Sequence, residues 1–309
     1  MNYEEWLVIK TAWYYYFEDM TQQKIAELLG ISRMRVIKLL EKARKTGIVQ
    51  FKMREDSTSR MQIEKQLTEQ YGLKDTFIVP TNPDAEGVNE TIARAAAMYI
   101  RDRLPENAFI NMGYGDTCSR VLINLATMSE NPISCVSLTG GVNYYLPHND
   151  MNLFNAKLYL IPAPLIASTK EIATAMQKEA TVIEFSRMAH ISSATIVGIG
   201  GMAEEATIIK SSILNKNDIL YLQMQGAVGD MLCHFVDKDG NLVNADIENR
   251  LISTSLDALK ELNNVIGVAA GSEKVEAIRA VLRGKYLNVL ITDEETALQL
   301  IDANETFEQ

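Results

Sequence analysis

The stretch Thr21–Glu41, TQQKIAELLGISRMRVIKLLE, decides how the chain is read. Thr21 is a helix-start residue whose hydroxyl can accept a hydrogen bond from a first-turn amide. Ile25, Ala26, Leu28 and Leu29 follow at helical spacing. Gly30 ends this helix, because glycine enters the left-handed conformation without steric cost. Ser32 starts a second helix, which turns Val36, Ile37, Leu39 and Leu40 toward a core and leaves Arg33, Met34, Arg35 and Lys38 outside. Ala26 suits a close helix crossing, Gly30 the turn, and Val36 the return of the second helix onto the first. That joint spacing is the helix-turn-helix, whose second helix enters the major groove of DNA.

The flanks extend this head. Residues 3–18, YEEWLVIKTAWYYYFE, repeat Trp6, Leu7, Ile9, Lys10, Trp13 and Phe17 near helical spacing, which predicts a third helix whose aromatics go mostly to the core. Tyr14, Tyr15 and Tyr16 cannot all face inward, so a tyrosine hydroxyl is left to reach a phosphate. IVQFKMR at 48–54 alternates apolar and polar residues and predicts a short strand, a wing beside the DNA. EDSTSR at 55–60 reads as a polar break. Met61, Ile63, Leu67 and Tyr71 then make residues 60–71 an amphipathic helix, a connector and oligomerisation helix. The expected division is a winged helix-turn-helix DNA-binding domain, 1–56, and an effector-binding and oligomerisation domain, 57–309.

The 309 residues are enough for a small domain plus a larger one, and an apolar share of 47% is that of a globular protein. No apolar run approaches the roughly 18 residues of a membrane span, and MNYEEWLVIK lacks the basic-then-apolar order of a secretory leader. Cys118, Cys135 and Cys233 lie far apart without zinc-site spacing, which fits reduced thiols and a cytoplasmic location. No cofactor or metal is implied. The net charge of −10 conceals a division. Residues 1–56 hold ten Lys/Arg against eight Asp/Glu, and the remainder holds twenty against thirty-two. Between Arg33 and Arg54, eight bases stand beside one acid, Glu41. An acidic body with a basic patch on the second motif helix suits a protein that meets phosphates with one end. Arg33, Arg35 and Lys38 are therefore candidate DNA contacts.

From residue 88 onward, apolar runs alternate with helical segments through turn-forming residues. Phe109–Met112 leads to Gly113-Tyr114-Gly115-Asp116-Thr117, Ser134–Leu138 to Thr139-Gly140-Gly141, and Lys157–Ile161 to Pro162-Ala163-Pro164. Ala194–Ile199 leads to Gly200-Gly201, Ile219–Met224 to Gly226-Ala227-Val228-Gly229-Asp230, Val265–Ala269 to Gly271-Ser272-Glu273-Lys274, and Val289–Thr292 to Asp293. Strand-loop-helix repeats predict an α/β, Rossmann-like domain with a mostly parallel sheet covered by helices. Ligands of such sheets sit beyond the carboxyl ends of the strands. Gly113, Gly115, Asp116, Thr139, Gly140, Gly141, Asp230 and Lys274 gather there. Glycines let backbone amides approach an anion. Lys274 begins a helix, where the dipole disfavours a cation, and an anion bound beside it would resolve the conflict. Asp230 offers an acceptor for sugar hydroxyls. The set points to a small polyol carrying a phosphate.

MTQQKIAELLGISRMRVIKLLEKARKTGIV, GYGDT, LTGGV, IPAPL, ATIVGIG, ATII, QGAVGD and GSEKVEAI occur in that order over essentially the whole chain. Together they resemble the SorC/DeoR family of bacterial transcriptional regulators, and within it repressors that answer to phosphorylated autoinducer-2. The resemblance implies a sugar-binding domain related in fold to phosphosugar isomerases and deaminases. It also implies a tetramer that releases double-stranded operator DNA when a sugar or phosphosugar binds. It places effector contacts on Thr207, Asp230, Leu232, Lys274 and the pair Gly140 and Gly141. It places DNA contacts on Tyr15 and Gln22; the outward face of the second motif helix adds the expectation that Gln22 and Ser32 anchor the phosphate backbone. The loop from Asn143 to His148 departs from that subgroup and leaves the effector's identity open.

The expected function is a DNA-binding transcriptional regulator, a repressor of a carbohydrate-utilisation operon, and not an enzyme. The alternative is an isomerase- or deaminase-like enzyme with a DNA-binding head. His148, His190 and His234 form no catalytic spacing, although His234 follows the Asp230 loop closely enough to approach a ligand. A helix-turn-helix used for protein contacts is opposed by the basic second helix.

Overall fold

The computed structural model describes residues 3–50, 55–84, 87–105, 108–141, 155–203, 206–243 and 246–301. The chain divides into two compact units, Met1–Thr58 and Ser59–Gln309.

The first unit is built on α1 (Tyr3–Tyr16), α2 (Gln22–Leu29) and α3 (Arg33–Lys45). Thr21 Oγ1 accepts from the Lys24 amide at 3.3 Å, and Ser32 Oγ accepts from the Arg35 amide at 3.2 Å, so each motif helix starts on a hydroxyl cap. Gly30 closes α2 with φ 65°, and its N–H donates to the last carbonyls of the helix. Leu7, Val8, Ala12, Ile25, Ala26, Val36, Leu39, Leu40 and Ala43 form the core. Here the aromatic expectation is corrected. Trp13 and Phe17 are 51% and 72% exposed, and Trp6 is 38% exposed, because α1 packs through the smaller residues Leu7, Val8, Thr11 and Ala12. Residues 48–50 form a bend and not a strand, and the rest of the expected wing, 51–54, lies outside the described residues.

A long helix, α4 (Glu55–Tyr71), follows. The expected break at 55–60 is helical: a polar run that opens with acids reads as well as a helix start as it does as a loop. Ile63, Leu67 and Tyr71 are buried in the core of the second unit, and the Tyr71 hydroxyl donates to the Leu300 carbonyl at 3.2 Å.

The strands of the second unit are β1 (Asp75–Val79), β2 (Phe109–Met112), β3 (Ile133–Gly141), β4 (Ala156–Pro164), β5 (Ala194–Gly198), β6 (Gly200–Gly201), β7 (Gly229–Met231), β8 (His234–Val236), β9 (Val265–Val268) and β10 (Val289–Asp293). Among the described residues, seven form one sheet in the order β1-β10-β9-β5-β2-β3-β4, and each pairing in it is parallel. Its inner strands β2, β5, β9 and β10 are nearly continuous apolar runs, as burial on both faces requires. One face packs on α5 (Val88–Arg101) and α6 (Asp116–Met128), through Ile92, Ala96, Val121 and Leu125. The helices that follow are α7 (Lys170–Gln177), α8 (Ala180–Ile191), α9 (Thr207–Lys210), α10 (Lys216–Met224), α11 (Leu256–Lys260), α12 (Val275–Arg283) and α13 (Glu294–Ile301). Residues of α4, α8, α11, α12 and α13 build the other core, around Leu67, Val197, Ile278 and Leu290.

Three sequence readings change here. Residues 219–224 lie in a helix and not a strand: Asn215 and Asp218 close a capping box at the start of α10, which outweighs the apolar run. Thr139–Gly141 and Pro162–Pro164 lie within β3 and β4 instead of in turns. Prolines are tolerated in β4 because it is an edge strand. A second, antiparallel sheet, β6-β7-β8, stands beside the main one.

Leu67 is fully buried. Leu67→Ala is expected to destabilise the second unit by about 2–5 kcal/mol. A urea unfolding midpoint that does not move would mean that this half of α4 is an exposed connector.

Candidate functional site

Where β5 passes into β6, the chain 198–201 borders a cavity of about 570 Å³. Tyr114 and the start of α6 close one side, and Thr207, Asp230, Leu232 and Lys274 close the others. The β7–β8 hairpin brings Asp230 to this place. Its two-residue turn, Leu232-Cys233, has both φ angles positive, 56° and 68°, as a tight hairpin requires. The turn lets the Cys233 amide donate to Asp230 Oδ2 at 3.2 Å, while the Tyr114 hydroxyl donates to the same oxygen at 3.0 Å. Gly200 faces Asp230 across the β6–β7 pairing, and a Cβ at Gly200 would overlap Asp230 Oδ1.

Burial pushes the Asp230 carboxyl above the usual carboxylate range, against the hydrogen bonds from Tyr114 and Cys233. Burial and the Asp230 charge together push the Tyr114 phenol well up. Lys274 ends the short turn Ser272–Lys274 that leads into α12. Burial draws its ammonium below the ordinary lysine range, opposed by the charges of Glu273, Asp116 and Asp230. Among the described residues no salt bridge reaches it. Asp116 is engaged elsewhere: Arg120 Nε donates to its carboxylate at 2.9 Å and Asn89 Nδ2 at 3.0 Å. The buried Cys118 thiol, also on the wall, is pushed up to about 12 by desolvation, so it stays protonated and inert at neutral pH.

Of the residues singled out in the sequence, Gly115, Asp116, Thr207, Asp230, Leu232 and Lys274 line this cavity. Gly113 stands behind it, where a Cβ would press on the Leu232 side chain at 2.8 Å. Thr139, Gly140 and Gly141 are not among the lining residues. Gly140 is explained by close approach instead: a Cβ there would overlap the Pro164 carbonyl of the neighbouring strand. The loop 143–148 lies outside the described residues. Sequence reasoning missed Tyr114 and Arg120. Tyr114 stands inside GYGDT, where a tyrosine between two glycines reads as a packing residue.

The two described histidines, His190 and His234, are otherwise occupied, and His148 lies outside the described residues. His234 is buried and does not line the cavity. Its Nδ1 meets Glu248 at 2.9 Å and its Nε2 meets the Thr254 carbonyl at 2.9 Å. His190 Nδ1 meets the Ser186 carbonyl within α8. No cluster of His, Cys, Asp or Glu among the described residues could hold a metal ion.

In the first unit, Tyr15, Gln22 and Arg33 come together along one shallow groove. Arg33, Arg35 and Lys38 are exposed on α3, and Ser32 is committed to capping that helix.

Comparison with known proteins falls on the same two units. Residues 55–302 match a family described as a sugar-binding domain, and residues 1–46 match region 4 of sigma-70. The transcriptional regulator LsrR of Escherichia coli (strain K12) is 34% identical over 302 residues, covering 96% of this chain and 95% of that protein. LsrR of Enterobacter sp. (strain 638) is 32% identical over 298 residues, covering 95% and 92%. The full-length sorbitol operon regulator SorC from Klebsiella pneumoniae has a similar structure, with TM-score 0.68 and 26% identity, covering 97% of this chain and all of that one. A sugar-binding domain behind a helix-turn-helix head, shared along almost the whole chain with these regulators, fixes its place: the chain belongs to the SorC/DeoR family of sugar-binding transcriptional regulators.

Proposed function

We propose that the protein is a cytoplasmic repressor of a carbohydrate-utilisation operon, without catalytic activity, that works as a homotetramer and releases its operator when a phosphosugar enters the cavity. The observation that carries this reading is the pairing of two unlike groups on one cavity. Asp230, held by Tyr114 and Cys233, has an oxygen to offer to sugar hydroxyls. Lys274 lines the same cavity as a partly buried cation with no salt bridge among the described residues. A polyol recognises the first and an anionic group the second. Release then follows from linkage: effector and operator favour different states of the assembly, so each weakens the other by the same factor. One helix-turn-helix per chain buries too little surface for tight specific binding, which supports paired motifs on DNA. A catalytic role for histidine has less support, because both ring nitrogens of His234 are taken.

Lys274→Ala is expected to bind operator like the wild type yet fail to release it on addition of effector. Asp230→Asn should weaken the response to a sugar and to its phosphate alike. Titrating the three proteins with each sugar and its phosphate, with release read by fluorescence anisotropy of labelled DNA, checks both. Equal responses of wild type and Lys274→Ala to both ligands would end the phosphate assignment.

The same lysine sets a pH dependence. An anionic ligand favours the ammonium, which burial disfavours. Affinity for a phosphosugar should therefore fall as pH rises through a pKa below the free-lysine value of 10.5. In Lys274→Arg, whose guanidinium does not titrate there, the fall should vanish. Calorimetric titrations from neutral to alkaline pH check the slope.

On the DNA side, Arg33 and Arg35 reach base edges or phosphates, Lys38 a phosphate, and Tyr15, Gln22 and Ser32 the backbone. Losing one bidentate arginine contact should cost about 1–3 kcal/mol. Unchanged operator affinity in the double variant Arg33→Ala, Arg35→Ala would remove α3 from the recognition role.

A further inference from the structure

The first helix has two apolar faces, and the unit's core uses one of them. Leu7, Val8, Thr11 and Ala12 are buried. On the other side Tyr3, Trp6, Lys10, Trp13 and Phe17 follow one another at alternating steps of three and four. Tyr3 and Phe17 are 74% and 72% exposed, and Ile9, beside them, is 39% exposed. The rings are ordered along the helix. Tyr3 and Trp6 stack with centroids 6.0 Å apart, and Trp13 and Phe17 stack at 4.5 Å with planes 12° apart. Lys10 Nζ lies 4.5 Å from the Trp6 ring and 5.7 Å from that of Tyr14. Both tryptophans of the chain stand on this ridge.

We propose that the ridge is a helix-pairing seam, and that its occupant is α1 of a second copy of this chain. The choice of a second copy rests on the DNA-binding reading above, in which two heads stand on one operator. Three arguments select it. Alternating steps of three and four are the repeat that keeps one stripe of a helix facing another helix, and a single polar residue in mid-seam, here Lys10, sets register at some cost in stability. A face that pairs with its own copy about a two-fold axis matches the symmetry of paired helix-turn-helix heads. Charge disfavours the other near candidate, DNA itself: the exposed acids Glu5 and Glu18 stand next in sequence to Trp6 and Phe17 of the ridge and repel phosphates. At about 150–250 Å² per aromatic side chain, the exposed ring surface comes to roughly 350–600 Å² per copy. Two copies would bury about 700–1,200 Å², the size of a weak, transient interface. The seam therefore adds to heads already brought together by the rest of the assembly or by DNA. It uses none of Arg33, Arg35 and Lys38.

Cysteine cross-linking of the full-length protein, without DNA, tests the proposal. Cys118, Cys135 and Cys233 are all buried, so the wild type provides a silent background. Lys10→Cys, at the middle of the seam, should form an interchain disulfide on mild oxidation, whereas Lys24→Cys, exposed on α2, should not. Adding Trp13→Ser to Lys10→Cys should abolish the cross-link, with circular dichroism confirming that α1 remains folded. Should that variant unfold, the comparison of Lys10→Cys with Lys24→Cys still decides, since both keep Trp6 and Trp13. The proposal is overturned if Lys10→Cys cross-links no faster than Lys24→Cys, or if a folded Trp13→Ser variant leaves the cross-link intact. Operator binding by the same preparation is measured separately, so loss of DNA binding would count against the regulator reading and not against the seam.

Discussion

A carboxylate taken out of water must be held by donors, and the sugar-binding unit is arranged around one such group. Asp230 is 5% exposed. Three local features of the chain serve it. The strand opposite carries Gly200, since no side chain fits beside its oxygen. Tyr114, after β2, turns its hydroxyl onto it. Leu232 and Cys233 both adopt left-handed backbone so that an amide points back at it. Such a conformation costs about 1–3 kcal/mol at each non-glycine residue. A hydrogen bond to a charged group contributes about 1.5–3 kcal/mol. The two bonds and the two strained residues thus come close to cancelling. The turn adds little to stability; its effect is to hold one acceptor in a fixed direction at the cavity wall.

Much of this was legible in the sequence, and the limits have physical causes. The helix-turn-helix rests on local rules, namely hydroxyl caps, one left-handed glycine and a small residue at a crossing, so Thr21, Gly30 and Ser32 behave as read. The parallel sheet was legible because strands buried on both faces must be continuously apolar. In α1 the pattern identifies a helix but not its inner face: Leu7, Val8 and Ala12 make one apolar stripe and the aromatics make another. Residues 219–224 were misread because so short and mostly apolar a stretch carries no period that separates strand from helix. The capping pair Asn215 and Asp218 held the answer. In the cavity, Lys274 and Asp230 were legible as charges beside glycine turns. Tyr114 was not, because its partner lies 116 positions away and spacing does not encode that contact. Gly140 reads as a ligand loop but lies in a strand whose neighbour comes too close for a side chain.

The cavity wall is costly in a particular way. It keeps Asp230 buried and Lys274 partly buried, and desolvation opposes the charged form of both. The phosphosugar proposed as effector would relieve both penalties at once. That relief is available only in a state whose walls meet the ligand, so it is the differential affinity on which a population shift depends. Moving an equilibrium from about 1:99 to 99:1 takes roughly 5.5 kcal/mol of such difference. Two charge-assisted contacts of about 1.5–3 kcal/mol each are of the right size.

How that difference reaches DNA depends on what limits operator binding. If affinity lay wholly in α3, an effector would have to distort a head whose core of Ile25, Val36 and Leu40 is closely packed. Pairing of two heads offers a softer control. Simultaneous engagement of two half-sites raises affinity through effective concentration, and that gain is lost when geometry forbids both contacts at once. A weak seam on α1 suits such control better than a strong one. Strong pairing would hold the heads together whatever the effector did. With the weak seam proposed above, a tetramer would decide whether the heads stand close enough to pair, and the proposed effector would need only to change that spacing.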